Sequence, residues 1–120
     1  MGMRRNIVLK YKEDKKIYLY THWQAEGLES ILADALDKGR SRWNDDSYLS
    51  RYIFTRMTKM VKPKDLEGIY EDAGDELIGF GLSVSETSPD YKSLEVDLEN
   101  KTVNDVEYED FIKNPQMFKI

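Results

Sequence analysis

Apolar and polar positions alternate with a period of two through residues 5–12, RNIVLKYK, and more regularly through 16–22, KIYLYTH. Both stretches are rich in β-branched and aromatic types. EDKK between them reads as a tight turn, so the chain opens as a β-hairpin. Alternation sets Ile17, Leu19 and Thr21 on one face of the second strand and Tyr18, Tyr20 and His22 on the other. The aliphatic face is expected to meet the core, leaving an aromatic and polar face that ends in His22.

The period then changes to that of a helix. Leu28, Ile31, Leu32, Ala35 and Leu36 form one stripe and predict a helix over 28–38, with Gly39 as its C-terminal cap. Asn44 or Asp45 can cap a second helix over roughly 46–60, with Asp45 and Asp46 at its positive dipole end. Tyr48, Leu49, Tyr52, Ile53 and Met57 make its inward face, while Arg51, Thr55, Arg56 and Lys59 point elsewhere. VKPKDLEGIYEDAGDE, 61–76, has no clear period and reads as a loop with one helical turn and a short strand at 68–70.

LIGFGLSV, 77–84, predicts a strand with Ile78, Phe80 and Leu82 on one face. Gly79 and Gly81 on the other leave room for a helix or an aromatic ring. SETSPDY is a turn. A second hairpin follows, in which Leu94, Val96 and Leu98 alternate with Glu95, Asp97 and Glu99; it turns at ENK and returns through Val103 and Val106. A short helix over 108–113 brings Phe111 and Ile112 inward, and the tail 114–120 is expected to fray. The order β-β-α-α-β-β-β predicts an α+β fold, an antiparallel sheet of about five strands with two main helices packed on one face, in a single domain over 1–120.

With 40 % hydrophobic and 34 % charged residues, the 120-residue chain can bury one core beneath a heavily charged surface. No apolar run approaches the ~20 residues that span a bilayer. The N-terminal MGMRRNIVLKYKED lacks the apolar stretch of a signal peptide, so a cytoplasmic location and no membrane association are expected. The absence of cysteine excludes disulfides, thiolate catalysis and thiolate metal sites. The net charge of −5 conceals an asymmetry: residues 1–64 hold fourteen Lys/Arg against eight Asp/Glu, residues 65–120 four against fifteen. Either the halves neutralise each other by packing, or they leave an acidic face that steers a basic partner and repels nucleic acid.

Two places carry candidate chemistry. His22, the only histidine, is the residue type best suited to acid/base work, yet no nucleophile elbow accompanies it and one histidine among acids makes a poor metal site. Neither a catalytic residue nor a metal or other cofactor is expected, and the bland reading of His22 is a hydrogen-bonded corner between strand and helix. The second place is KGRSRW, 38–43, with Arg51, Arg56 and Lys59 on the following helix. Arg40, Arg42 and Trp43 suit a phosphate beside a stacked base, and could recruit His22 and Trp23 if the two loops meet. The bland reading pairs the arginines with the acidic half and makes Trp43 a core anchor. The interspersed acids Asp34, Asp37, Asp45 and Asp46 argue against direct nucleic-acid binding, and no glycine-rich phosphate loop is present. Eight tyrosines exceed what so small a core can bury, which is the composition of a protein interface.

IYLYTHW, ALDKGRSRWNDDSYLSRYIF, LIGFGLSV and LEVDLENKTV together resemble a group of short uncharacterised proteins encoded by bacteriophages and prophages. The resemblance spans about residues 5–106 and brings no catalytic residues with it. It implies a host-takeover or anti-defence factor, of which an anti-CRISPR protein is an example. The resulting expectation is a non-enzymatic phage accessory protein that binds and inhibits a host protein or nucleoprotein complex in the bacterial cytoplasm. Its surface would be acidic and tyrosine-rich, with Glu95, Asp97, Glu99, Asp105, Glu107, Glu109 and Asp110 standing where nucleic-acid phosphates would. The alternative is a small-ligand protein that binds or sequesters a nucleotide or other phosphorylated signal at His22, Trp23, Arg40, Arg42 and Trp43. A third reading is a structural homo-oligomer, which needs no partner.

Overall fold

The computed structural model describes residues 3–12, 14–23, 25–60 and 79–120. Arg5–Tyr11 (β1) and Lys15–Thr21 (β2) pair antiparallel, in the register their alternation requires. Arg5, Ile7 and Leu9 oppose Thr21, Leu19 and Ile17 on one face; Asn6, Val8 and Lys10 oppose Tyr20, Tyr18 and Lys16 on the other. The first face meets the helices, and Ile7, Leu9 and Leu19 are buried there.

Leu28–Lys38 (α1) has the predicted bounds, and all five apolar stripe residues are buried. Gly39 closes it, donating its N–H to the Ala35 carbonyl at 2.8 Å, but at φ −95° rather than in the left-handed region. Glycine is needed there for space. A Cβ would lie 2.8 Å from the same carbonyl and 3.2 Å from the Leu49 and Tyr52 side chains. Gly27, at φ 87°, supplies the left-handed residue instead, at the helix N-terminus.

Asp46–Met60 (α2) follows a cap in which Asp45 Oδ1 accepts the Tyr48 N–H at 3.2 Å. Its buried stripe is Leu49, Ile53 and Met57, narrower than predicted. Tyr52 is only half-buried and Tyr48 is 55 % exposed, because Tyr48 sits about 100° around the helix from Leu49. The predicted loop over 61–76, its strand at 68–70 and the position of Ile78 lie outside the described residues.

Phe80–Ser83 (β3), Leu94–Asp97 (β4), Thr102–Val103 (β5) and Val106–Glu107 (β6) complete a sheet in the order β3-β2-β1-β4-β5-β6. The sheet is mixed and has six strands, where an antiparallel sheet of about five was expected. β3 pairs antiparallel outside β2, so it runs in the sense of β1. Residues 84–93 then recross β2 and β1 on the face away from the helices, and Asn6 Nδ2 donates to the Thr87 carbonyl along the way. β4 therefore arrives parallel to β1, with Ile7 beside Leu94 and Leu9 beside Val96. Asn104 and Asp105, both at positive φ, make the two-residue turn between β5 and β6.

Tyr108–Lys113 (α3) matches expectation and buries Tyr108 and Phe111. The tail is docked rather than frayed. Pro115–Phe118 forms a short 3-10 turn, and the Phe118 ring lies 5.9 Å from that of Phe111. Its carbonyl accepts a hydrogen bond from Arg5 Nη2 at 2.8 Å.

That arginine is the least expected core residue. Arg5 is 1 % exposed, and its guanidinium also donates to Glu29 Oε1 at 2.9 Å, the Ala25 carbonyl at 3.1 Å and the Lys92 carbonyl at 2.8 Å. Burial lowers its pKa, and the hydrogen bond and charge of Glu29 oppose that shift. Arg5→Met leaves the buried Glu29 carboxylate without its cation, and is expected to cost about 3–5 kcal/mol. Equilibrium urea unfolding reads this as a lower midpoint at unchanged slope. Gly39→Ala, which must displace Leu49 and Tyr52, is expected to cost about 1–3 kcal/mol in the same assay.

Candidate functional site

The only histidine ends β2 in a corner whose groups are spent on one another. His22 donates its N–H to the Gly79 carbonyl at 2.9 Å and accepts the Met3 N–H at 2.6 Å. Its Nδ1 shares a hydrogen bond of 2.5 Å with the Tyr20 hydroxyl, and its ring meets Trp23 edge-on at 4.3 Å. The two glycines do what their spacing suggested: a Cβ on Gly79 would lie 3.4 Å from the Trp23 ring, and one on Gly81 3.5 Å from Tyr20. Beside them Arg4 holds Asp90 through Nε and Nη2, both at 3.2 Å. Hydrogen bonds from Arg4 lower the Asp90 pKa, and burial raises that of Tyr20. The corner extends the sheet by joining β2 to the residues preceding β1 and β3.

KGRSRW behaves differently. Arg40 donates from Nε to Asp37 at 2.9 Å and from Nη1 to Glu109 at 2.5 Å, with its guanidinium 5.1 Å from the centre of the Trp43 ring. Hydrogen bonds with Glu109 and Asp37 raise its pKa. Trp43 Nε1 donates to the Leu36 carbonyl at 2.8 Å while the ring packs edge-on against Tyr108. Arg40 and Trp43 therefore clamp the end of α1 to α3. Arg42 faces the other way, over the Tyr48 ring at 4.6 Å, with a longer contact to Asp45 at 3.4 Å.

The two loops do not meet. Trp43 shares a small cavity with Tyr11, the last residue of β1, whereas His22 is bonded to Met3, just before β1 begins. The seven residues of β1, at ~3.3 Å each, put about 20 Å between those ends. His22 and Trp23 consequently cannot share one small ligand with Arg40, Arg42 and Trp43.

The seven acids lie together around β4, β5, β6 and α3, but three have work of their own. Asp97 accepts the N–H groups of Glu99 and Asn100 and the Asn100 side chain, which builds the turn after β4. Glu109 holds Arg40, and Glu95 lies 3.8 Å from Lys16. Glu99, Asp105, Glu107 and Asp110 remain exposed, with no ion-pair partner among the described residues.

The outer sheet face forms a depression of about 460 Å3. Tyr18, Pro89 and Tyr91 give it apolar walls, Glu86 and Glu95 acidic ones, and Lys16 and Lys92 basic ones. Asn104, which starts the turn carrying Asp105, closes one side. Pro89 and Tyr91 were not singled out from sequence; the signal was the SETSPDY turn, whose path across the sheet no local pattern reveals. Among the described residues, no group of three or more His, Asp or Glu side chains is placed to hold a metal ion, and no helix is long and apolar enough to cross a membrane. No family model matches the chain, and neither a curated protein nor a solved structure matches it.

Proposed function

We propose that this protein acts without catalysis, by binding a basic segment of another protein through its acidic, tyrosine-bearing outer surface. In the setting that the phage resemblance implies, the partner is a host protein or nucleoprotein complex, and binding inhibits it. One observation carries this reading: four exposed carboxylates without an ion-pair partner among the described residues, Glu99, Asp105, Glu107 and Asp110, cluster around β5, β6 and α3, and one of them, Asp105, follows Asn104 at the rim of a depression walled by Tyr18, Pro89 and Tyr91. Unpaired carboxylates at an open surface accelerate encounter with a cationic partner, and aromatic walls supply the buried contact that holds it. β6 is only two residues long, so the acidic edge offers side chains rather than a backbone ladder.

The structure also determines which acids make a clean test. Reversing Asp97 would break the turn it builds, whereas Glu99, Asp105 and Glu107 carry no such bond. Asparagine tolerates the positive φ of 70° at position 105. The variant E99K/D105N/E107K is therefore expected to lose capture of the host partner that the wild-type chain retains from a bacterial lysate. Its melting temperature should move by less than about 3 °C, as for surface changes. Wild-type capture should also weaken as salt rises from about 0.05 to 0.3 M. Undiminished capture by the triple variant contradicts the proposal.

A further inference from the structure

A cavity of about 420 Å3 opens between the end of α1 and the outer flank of α2, apart from the acidic surface. Tyr48, Arg51, Tyr52 and Thr55 follow helical spacing and form one wall, and Lys38, Gly39, Ser41 and Arg42 form the other. Three cations, Lys38, Arg42 and Arg51, line it, and no carboxylate among the described residues does.

The three cations are not equally engaged. Lys38 pairs with Asp34 one turn below. Arg42 is held over the Tyr48 ring, and its 3.4 Å contact to Asp45 is longer than the ~2.7–2.9 Å of a strong charge-assisted bond. Arg51 has no carboxylate partner among the described residues. Two arginine forks with unused donors, one of them oriented by an aromatic ring, match the oxygens of a phosphoryl group better than a point charge would. The half-buried Tyr52, which Gly39 allows close to the helix end, adds an apolar surface beside them. The volume lies near the lower end of the ~300–1,000 Å3 typical of small-ligand sites.

We propose that this cavity binds a phosphate monoester of about mononucleotide size, with Arg42 and Arg51 on the phosphoryl group and Tyr52 against the organic part. The site keeps Arg42 from the ligand corner suggested by the sequence, replaces His22 and Trp23 with Arg51 and Tyr52, and is independent of the acidic surface.

Isothermal titration of the full chain with adenosine 5′-monophosphate, inorganic phosphate and adenosine tests it. Adenosine monophosphate and phosphate should bind, and adenosine should bind at least about tenfold more weakly than its monophosphate, as expected from the loss of charge-assisted hydrogen bonds. R51Q, an exposed helix-surface change, should weaken adenosine monophosphate about tenfold or more without altering thermal unfolding. R42Q should do the same, while K16Q, outside the cavity, should leave affinity unchanged. No binding of either phosphate probe at about 10 mM, far above the range of a useful site, overturns the proposal. So does adenosine binding as tightly as its monophosphate, or affinity unmoved by R51Q.

Discussion

One buried ion pair holds the parts of this fold in register. Arg5 and Glu29 each have only 2 % of the side chain exposed, and the arginine adds three bonds to main-chain carbonyls from different parts of the chain. Ala25 lies just before α1, Lys92 in the crossover to β4, and Phe118 in the C-terminal turn. Removing a charge from water costs several kcal/mol, and the geometry must return that through good hydrogen bonds. An apolar side chain in the same space could fill the volume but could not choose among neighbours. The guanidinium fork is satisfied only when α1, the crossover and the tail all stand in place, so its burial favours this arrangement over looser packings.

Charge elsewhere is divided between neutralisation and display. The basic first half and acidic second half do meet, through Arg4 with Asp90, Lys16 with Glu95 and Arg40 with Glu109. Other basic residues pair locally, as Lys38 and Arg56 do with Asp34. Among the described residues neutralisation is therefore incomplete on both sides. Among the described residues Glu99 in the turn after β4, Asp105 and Glu107 at the β5–β6 end and Asp110 on α3 keep no ion-pair partner, nor does Arg51 on α2. The depression beside Asn104 and the cavity that Arg42 and Arg51 line share no residue, so the two proposed binding surfaces are built from separate side chains.

Local pattern made much of the architecture legible. The first hairpin, both main helices, α3 and the aromatic approach to Gly79 and Gly81 all follow from periods of two or 3.6 and from nearby glycines. What alternation does not encode is neighbourhood. Leu94 and Val96 read as strand residues, but nothing in their spacing says that they lie beside Ile7 and Leu9 in parallel. Nothing in the local pattern marks Arg5 as a core residue, since its partners lie 20 to 113 residues away. The acidic residues could be grouped from sequence, yet their division into turn-builder, ion-pair partners and unpaired carboxylates depends on tertiary contacts. The separation of His22 from Arg40 and Arg42 was equally invisible, because it is the length of β1 that sets it.

The bond from Arg5 to the Phe118 carbonyl has a consequence for how the chain acquires its structure. The first strand cannot satisfy its buried cation until almost the last described residues exist, and its parallel neighbour β4 is itself some 85 residues away along the chain. Such long-range closures carry a large entropic cost before they are rewarded, and they slow folding relative to a helical protein of similar size. During synthesis the opening hairpin can form early, but its central strand keeps one edge open until β4 emerges from the ribosome. The guanidinium therefore gains its full set of carbonyl partners only when the chain through Phe118 is in place.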